Sequence, residues 1–183
     1  EILWFGSIVK KCKKVIICFG PSNNFELSEG REKIKKLLTY RNVEFLNLHE
    51  AGVFNSSNWN SQIKKEYGVK CYNNEKKYID NYQKGYEILL NKLKNEKVIF
   101  THNPWGEYGH EEHIQIFKII SKIKKIYNFR LIFNGYFSSK TIRLMIDNKS
   151  KYNFYYFDLH NDHEYVVNIK KQYIENNIWT WDD

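Results

Sequence analysis

The chain has 183 residues, a formal net charge of +8, and a composition that is 42% hydrophobic and 17% aromatic. This composition excludes a disordered chain, and no apolar run reaches the roughly 18–20 residues of a membrane-spanning helix. The cysteines, Cys12, Cys18 and Cys71, form neither a Cys-x-x-Cys zinc pattern nor a disulfide framework. We therefore expect residues 1–183 to form a single domain in a reducing cytoplasm, with no transmembrane segment.

The positive charge is spread along several amphipathic segments rather than concentrated in one motif. A basic surface can attract nucleic acid or another anionic polymer. The lysine cluster at residues 10–14 is better interpreted as the solvated end of a helix, where basic side chains suit the helix dipole. We therefore expect no specific nucleic-acid partner.

The first half of the chain is predicted to alternate helices and strands before a long loop. The apolar and polar patterns predict a helical face over 1–14, a buried strand over 15–19, an amphipathic helix over 29–40 and a strand over 43–48. Residues 51–71 are polar and predict a long loop, a kind of segment that is usually functional or disordered in a compact domain. Within that loop, Trp59 and Tyr67 can either stack on a sugar ring or fasten the loop to the body.

In the second half of the chain, predicted helices and strands continue to alternate, and the chain ends in a predicted hairpin and a helix. A long amphipathic helix is predicted over 74–95, a strand over 98–101, a helix over 110–127, a strand over 130–134, a hairpin from 141–146 and 152–157, and a last helix near His160 and His163. This order of elements predicts an α/β domain with a mainly parallel sheet and a C-terminal hairpin plus helix.

The most informative stretch is Thr101–Phe117, which reads Thr-His-Asn-Pro-Trp-Gly-Glu-Tyr-Gly-His-Glu-Glu-His-Ile-Gln-Ile-Phe. It predicts a strand, a Pro/Gly loop and the start of a helix, which is where open α/β sheets place their sites. His110 and His113 are three residues apart, so both imidazoles lie on one helix face. The spacing differs from that of His-Glu-x-x-His zinc peptidases. The alternative is a helix start with two partly exposed histidines.

This stretch resembles the LmbE-like or PIG-L family of zinc-dependent de-N-acetylases. Their second motif is typically Gly-His-Pro-Asp-His at a helix start, often with a tyrosine two residues before the first histidine. Here the sequence from Tyr108 to His113 is similar, with Glu111 and Glu112 in place of Pro-Asp. The resemblance implies a Rossmann-like three-layer fold and the removal of acetyl from an N-acetylglucosaminyl group on a lipid, nucleotide or glycan.

The start of the chain, Glu1–Gly6, is similar to the tail of the family's first motif, His-Pro-Asp-Asp-Glu. The resemblance implies that the first strand, a histidine ligand, an aspartate ligand and the aspartate base lie upstream of Glu1. The domain is therefore expected to be incomplete at its N-terminus. We also expect a chain that carries one family ligand to hold zinc weakly, because catalytic zinc sites usually have three protein ligands and water.

The resemblance also implies roles for three residues: His113 as a zinc ligand, and His110 and Tyr108 as catalytic groups that stabilise the oxyanion or protonate the leaving amine. Two other possibilities remain open, namely a degenerate, non-catalytic member of the family and a basic binding module for an anionic polymer. No role is assigned to Arg31, His49, His160 or His163, and no oligomeric state is assigned.

Overall fold

The computed structural model describes residues 6, 8–9, 11–37, 42–152, 162–177 and 179. The helices and strands of this part of the chain are, in order, β1 (Val15–Phe19), α1 (Phe25–Leu37), β2 (Val43–Leu48), β3 (Lys64–Lys65), β4 (Gly68–Val69), α2 (Glu75–Lys92), β5 (Val98–Thr101), α3 (Glu111–Lys124), β6 (Arg130–Phe133), α4 (Ile142–Lys149) and α5 (His163–Glu175). None of these helices is both long enough and apolar enough to cross a membrane. The chain divides into two compact units, residues 1–50 with 157–183 and residues 51–156.

The first unit contains a parallel pair of strands, β1 and β2, connected through α1. The register places Val15 opposite Val43 and Ile17 opposite Phe45. A parallel pair requires a crossover connection, and α1 supplies it after a cap in which Asn24 Oδ1 accepts the Leu27 N–H at 3.1 Å. This arrangement confirms the predicted strand–helix–strand order.

Helix α5 of the first unit begins at His163, one residue after its N-cap, Asp162. The Asp162 carboxylate accepts the Tyr165 N–H at 3.1 Å. The apolar face of α5 buries Tyr165 and Ile169. His160, near which the sequence predicted this helix, lies outside the described residues.

The second unit contains a parallel pair, β5 and β6, with Val98 opposite Arg130 and Thr101 opposite Phe133. The connecting helix α3 buries an almost continuous apolar surface, consisting of Ile114, Ile116, Phe117, Ile119, Ile120 and Ile123. Helix α2 packs against α3 through the predicted stripe, which includes the buried residues Tyr78, Tyr82 and Leu89. Because α3 is packed in the core, the loop that leads into this helix is held in place as well.

The predicted C-terminal hairpin is wrong over its first strand, because residues 142–149 form helix α4. In the structure Thr141, Leu144 and Asn148 are buried, at spacings of three and four, whereas Ile146 is 60% exposed. This is a helical period, and Leu144 contributes to the core of the second unit. Residues 153–157, the greater part of the other predicted strand, lie outside the described residues.

The described part of the chain is therefore a mixed α/β protein with short parallel strand pairs. The predicted loop 51–71 is confirmed in its irregular backbone, apart from the two-residue strands β3 and β4, which pair antiparallel.

Candidate functional site

The site is built on the loop between β5 and α3, which contains several tight turns. Gly106 has φ +70°, and a Cβ there would lie 2.5 Å from the carbonyl oxygen of His110. Gly109 has φ +100° and lies against the side chain of Lys140. These two glycines allow the chain to turn back on itself within a few residues. As a result, residues before and after the turn lie side by side.

Glu107 lies at the centre of this loop with 0% of its surface exposed. Its backbone adopts φ +53°, a left-handed conformation that is uncommon for residues other than glycine. Carboxylate oxygen Oε1 accepts the Asn103 N–H at 2.9 Å and the Asn134 Nδ2–H at 2.6 Å. The Thr141 hydroxyl donates to the backbone carbonyl of Glu107 at 2.7 Å. These bonds fix the orientation of the carboxylate.

The second oxygen of Glu107, Oε2, faces two histidines. It lies 2.8 Å from Nδ1 of His113 and 3.3 Å from Nδ1 of His102. The two imidazoles are stacked, with ring centroids 3.8 Å apart and planes 15° apart. One candidate ligand atom from each of these three residues lies within 4.8 Å of the others. Two imidazoles and a carboxylate are a donor set suited to zinc and related transition metals.

His110 is the N-cap of α3, and its ring Nδ1 accepts the Glu112 N–H at 3.3 Å. Because Nδ1 is an acceptor in this bond, the ring proton of neutral His110 lies on Nε2. The ring also stacks on His113, with centroids 4.5 Å apart and planes 9° apart. His113 therefore lies between two other imidazoles.

The electrostatics of the group keep the carboxylate charged and the central imidazole neutral. Burial lowers the pKa of His113 well below its ordinary value, and the neighbouring His102 and His110 act in the same direction. Burial alone would raise the pKa of Glu107, but the imidazoles of His102 and His113 outweigh it and lower this pKa. A neutral imidazole and an ionised carboxylate are the forms that bind metals.

Aromatic rings border the two catalytic candidates. The ring of Tyr108 meets His110 and His113 edge-on, at centroid distances of 5.9 Å and 5.6 Å. Phe54 lies 5.0 Å from the His110 ring and 6.0 Å from the Tyr108 ring, yet it is 51% exposed. This side of the site therefore presents an apolar surface to solvent.

Glu111 fastens the loop that carries Phe54 to the start of α3. Its buried carboxylate accepts the Asn55 N–H at 3.2 Å, the Ser57 N–H at 3.0 Å and the Ser57 hydroxyl at 2.8 Å, together with Trp59 Nε1–H at 3.2 Å. The next residue, Glu112, accepts the Ala51 N–H at 2.7 Å. Glu111 and Glu112 therefore anchor residues 51–59.

Lys140 closes the same side of the site. Its ammonium donates to the Gly109 carbonyl at 3.0 Å and to Asn55 Oδ1, and it lies 4.5 Å from the ring centroid of Trp59. Burial lowers the pKa of Lys140, and Glu111 opposes that shift. Trp59 thus fastens its loop through Glu111 and Lys140, which is one of the two roles expected for it.

The structure brings the three residues predicted for the site, Tyr108, His110 and His113, together in one cluster. The other residues considered belong to the first unit. There, Arg31 pairs with Glu50 at 2.6 Å and donates to the Gly20 carbonyl, and His163 is an exposed residue at the start of α5. His49 contacts the carbonyl of Glu50.

Sequence reasoning missed His102 and gave Glu107 no definite role. Both lie in the stretch already singled out, and His102 directly follows β5, at the end of a parallel strand where sites are expected. This position could have identified His102 as a candidate from the sequence. The importance of Glu107 depends on the turns at Gly106 and Gly109, which residue spacing alone does not reveal.

Part of the chain is similar to a viral protein. No family model matches the chain. No solved structure matches it. The chain is 33% identical over 117 residues to the protein named Uncharacterized protein L374 of Acanthamoeba polyphaga mimivirus; this alignment covers 57% of the chain and 41% of the viral protein. The chain thus spans less than half the length of that relative, whose name states no activity.

Proposed function

We propose that the protein is a zinc-dependent hydrolase that removes acetyl from an N-acetylated amino sugar of the N-acetylglucosamine type. The observation that carries this proposal is the contact between Glu107 Oε2 and His113 Nδ1 at 2.8 Å. Histidines that ligate metals commonly donate their other ring N–H to a carboxylate, which fixes the tautomer. In that tautomer the Nε2 lone pair of His113 is available to a metal.

The residues present fit a metal of this kind. His113 would hold it, and the ionised Glu107 would orient the ring and supply negative charge nearby. When bound, zinc supplies Lewis acidity and lowers the pKa of a coordinated water molecule to about 7. This is the chemistry that hydrolysis of an amide at neutral pH requires.

His110 and Tyr108 suit the two other requirements of the reaction. Water adds to the amide carbon, the C–N bond breaks, and the products are acetate and an amine. His110 keeps a proton on Nε2 because its Nδ1 caps α3, so it can donate this proton to the oxyanion or to the leaving amine. The hydroxyl of Tyr108, whose ring lies against both imidazoles, can donate to the same oxyanion.

The substrate class is supported by the aromatic surface of the site. Phe54 is half exposed beside His110, and flat apolar rings of this kind pack against the faces of sugars. The amino sugar would be carried on a lipid, a nucleotide or a glycan. We also infer that the parallel pairs belong to a Rossmann-like three-layer fold.

Hydrolysis can be tested with the zinc-loaded protein and a panel of N-acetylglucosaminyl conjugates, by measuring the release of acetate. His110→Asn is the most informative variant, because asparagine retains an oxygen that can cap the helix but lacks the imidazole. We expect it to lower kcat by about 10²–10⁴-fold, and Tyr108→Phe to lower kcat by about 10²-fold.

The matched control is His163→Ala, which removes an exposed histidine from the first turn of α5. It should leave kcat unchanged. A zinc-loaded protein that releases no acetate from any conjugate would contradict the proposal, and would favour a non-catalytic member of the same fold or a binding module for an anionic polymer. Steeply salt-dependent binding that is indifferent to His113 would indicate the latter.

A further inference from the structure

Lys140 lies beside the candidate site, and the proposed reaction does not use it. Its ammonium donates to the Gly109 carbonyl at 3.0 Å and to Asn55 Oδ1. A Cβ at Gly109 would lie 2.7 Å from Lys140 Cδ, so the absence of a side chain there leaves room for the lysine. The ammonium therefore contacts the residue that directly precedes His110.

Two aromatic rings lie around the same ammonium. Nζ is 4.5 Å from the ring centroid of Trp59 and 5.1 Å from that of Phe54, and cations are attracted to aromatic faces. The Phe54 centroid is also 5.0 Å from that of His110, so these distances of 5.1 Å and 5.0 Å place the ammonium at most about 10 Å from the imidazole. One sugar residue with its substituent can span such a distance.

The positive charge of Lys140 is not neutralised by direct contact with a carboxylate in the part of the chain that the structure describes. Its acceptors there are a backbone carbonyl and an amide oxygen, and no ion pair joins it to an acidic side chain. Glu111 is fully buried and accepts from Asn55, Ser57 and Trp59 instead. Because an ammonium has three N–H donors, one remains for a ligand.

The surroundings of Lys140 suit an anionic ligand. The side chain is partly exposed, so a ligand can reach it. Burial lowers the pKa of the ammonium, although Glu111 opposes the shift, which indicates that the charge has lost part of its hydration. An anion would compensate that loss, and lysine is a common partner of phosphate and carboxylate oxygens.

We propose that Lys140 is a specificity-determining residue that binds an anionic group of the substrate, a phosphate ester or a carboxylate attached to the amino sugar. The inference rests on the proposed function, since it takes His110 and Tyr108 as the reacting end of the site. Phe54 lies between the two ends and would pack against the sugar. The substrate class is thereby narrowed from any N-acetylglucosaminyl conjugate to an anionic one.

Isothermal titration calorimetry with three ligands tests this assignment: N-acetylglucosamine 1-phosphate, the carboxymethyl glycoside and the uncharged methyl glycoside. The zinc-loaded chain with His110→Asn is the host, so that the ligands are not consumed. We expect at least one anionic ligand to bind about 10-fold more tightly than the methyl glycoside, because charge-assisted hydrogen bonds are strong. Which anion binds more tightly distinguishes a phosphate-linked conjugate from a carboxylate-bearing one.

Lys140→Gln in this host should abolish the preference for the anionic ligand, whereas Lys140→Arg should retain it because the charge is kept. Lys84→Gln is the matched control, since it removes an equal charge from an exposed position on α2 and should leave all three Kd values unchanged. A merely structural role for Lys140 would weaken the binding of all three ligands alike. Circular dichroism of each variant identifies any loss of fold.

Acetate release gives a second readout in the chain with His110 intact. Lys140→Gln should lower kcat/KM for the preferred anionic conjugate by about 10-fold, mainly through a higher KM, because the contact is made in the bound substrate as well as in the transition state.

Equal Kd values for charged and uncharged ligands would overturn the inference, and so would a preference that survives Lys140→Gln. These results are distinguishable from failure of the proposed function. If the preference depends on Lys140 but no conjugate loses acetate, the anion site stands and the hydrolase proposal fails. If all conjugates lose acetate equally well and Lys140→Gln changes no KM, only the present inference fails.

Discussion

At the scale of single residues, Glu107 combines two features that are costly unless the surroundings compensate them. It is a fully buried carboxylate in a left-handed backbone conformation. Strain of this kind persists where neighbouring structure enforces it and is concentrated at functional sites. Here the Asn103, Asn134 and Thr141 hydrogen bonds enforce it.

The turn at Gly106 gives a prediction about stability. In Gly106→Ala the new Cβ would meet the His110 carbonyl oxygen at 2.5 Å, and φ of +70° would be strained. We expect the free energy of unfolding, measured by urea denaturation, to fall by about 1–3 kcal/mol. Gly135→Ala is a matched control, because no atom lies within 4 Å of its added Cβ. Equal losses in the two variants would contradict the strain argument.

Cys71 gives a prediction about pH. Burial raises the pKa of this thiol to about 12, and the neighbouring carboxylates Glu111, Glu75 and Glu112 act in the same direction. The thiol is neutral in both states below its unfolded pKa of about 8.5, so its contribution is fully present there. Above that pH the unfolded chain loses the proton first, so stability is lost as pH rises toward 12.

The corresponding measurement is urea denaturation of the wild type and Cys71→Ala at pH 7, 9 and 10. Between pH 9 and 10 the advantage of the wild type over the variant should shrink by about 1 kcal/mol. It should be nearly constant below pH 8. An advantage that is independent of pH up to 10 would show that the folded-state pKa of Cys71 is not raised.

At the scale of elements, the first turn of α3 acts as the anchor for residues 51–59 through buried acidic side chains. In Glu111→Ala, the N–H groups of Asn55 and Ser57 would lose their acceptor. We expect a loss of about 3 kcal/mol of unfolding free energy, because the N–H and the hydroxyl of the buried Ser57 both donate to Glu111 and each unsatisfied buried donor costs about 1–3 kcal/mol.

The loop itself should respond in the same variant. Hydrogen exchange of the Asn55 and Ser57 amides should become faster in Glu111→Ala than in the wild type, because their shared acceptor is gone. Glu87→Ala, on the exposed face of α2, is the control and should change neither quantity. Unaltered amide protection in Glu111→Ala would rule out the anchoring role.

Helix α4 supplies a test of the corrected secondary structure. Leu144 is 7% exposed and Ile146 is 60% exposed. We expect Leu144→Ala to lower the free energy of unfolding by about 2–5 kcal/mol. Ile146→Ala should have little effect or be slightly stabilising, because alanine favours an exposed helix position. A hairpin would predict losses in both variants, since alanine is unfavourable in strands.

Several strands were predicted well from the sequence. Strands 15–19, 43–48 and 98–101 were placed correctly because short apolar runs bounded by turns define them. Helix α4 was instead predicted as a strand, although its buried face follows Thr141, Leu144 and Asn148 at helical spacing. Whether such a short segment forms a strand or a helix is decided by its packing against the rest of the protein, which the local sequence does not show.

At the scale of the whole molecule, the candidate site could be predicted from sequence only in part. The prediction rested on the position of His110 and His113 after a predicted strand and on the resemblance of residues 108–113 to a family motif. The structure places Tyr108 against both histidines. Asn134, which holds Glu107, is 27 residues further along the chain and becomes a neighbour only because β6 pairs with β5. Such a contact depends on the fold and has no local sequence signal.

The positive charge of +8 is a property of the whole chain and does not by itself specify a partner. The contacts described around Glu107 join residues of 51–156, so the proposed chemistry depends on that unit's loops rather than on net charge. The viral relative is similar to part of the chain, and its name states no activity.

Elemental analysis of bound zinc tests the central claim most directly. The wild type, His113→Ala and the control His163→Ala are dialysed under identical conditions with zinc available. The account predicts bound zinc in the wild type and the control while zinc is kept available, and a large loss of bound zinc in His113→Ala. Wild-type protein that retains no more zinc than His113→Ala would contradict it.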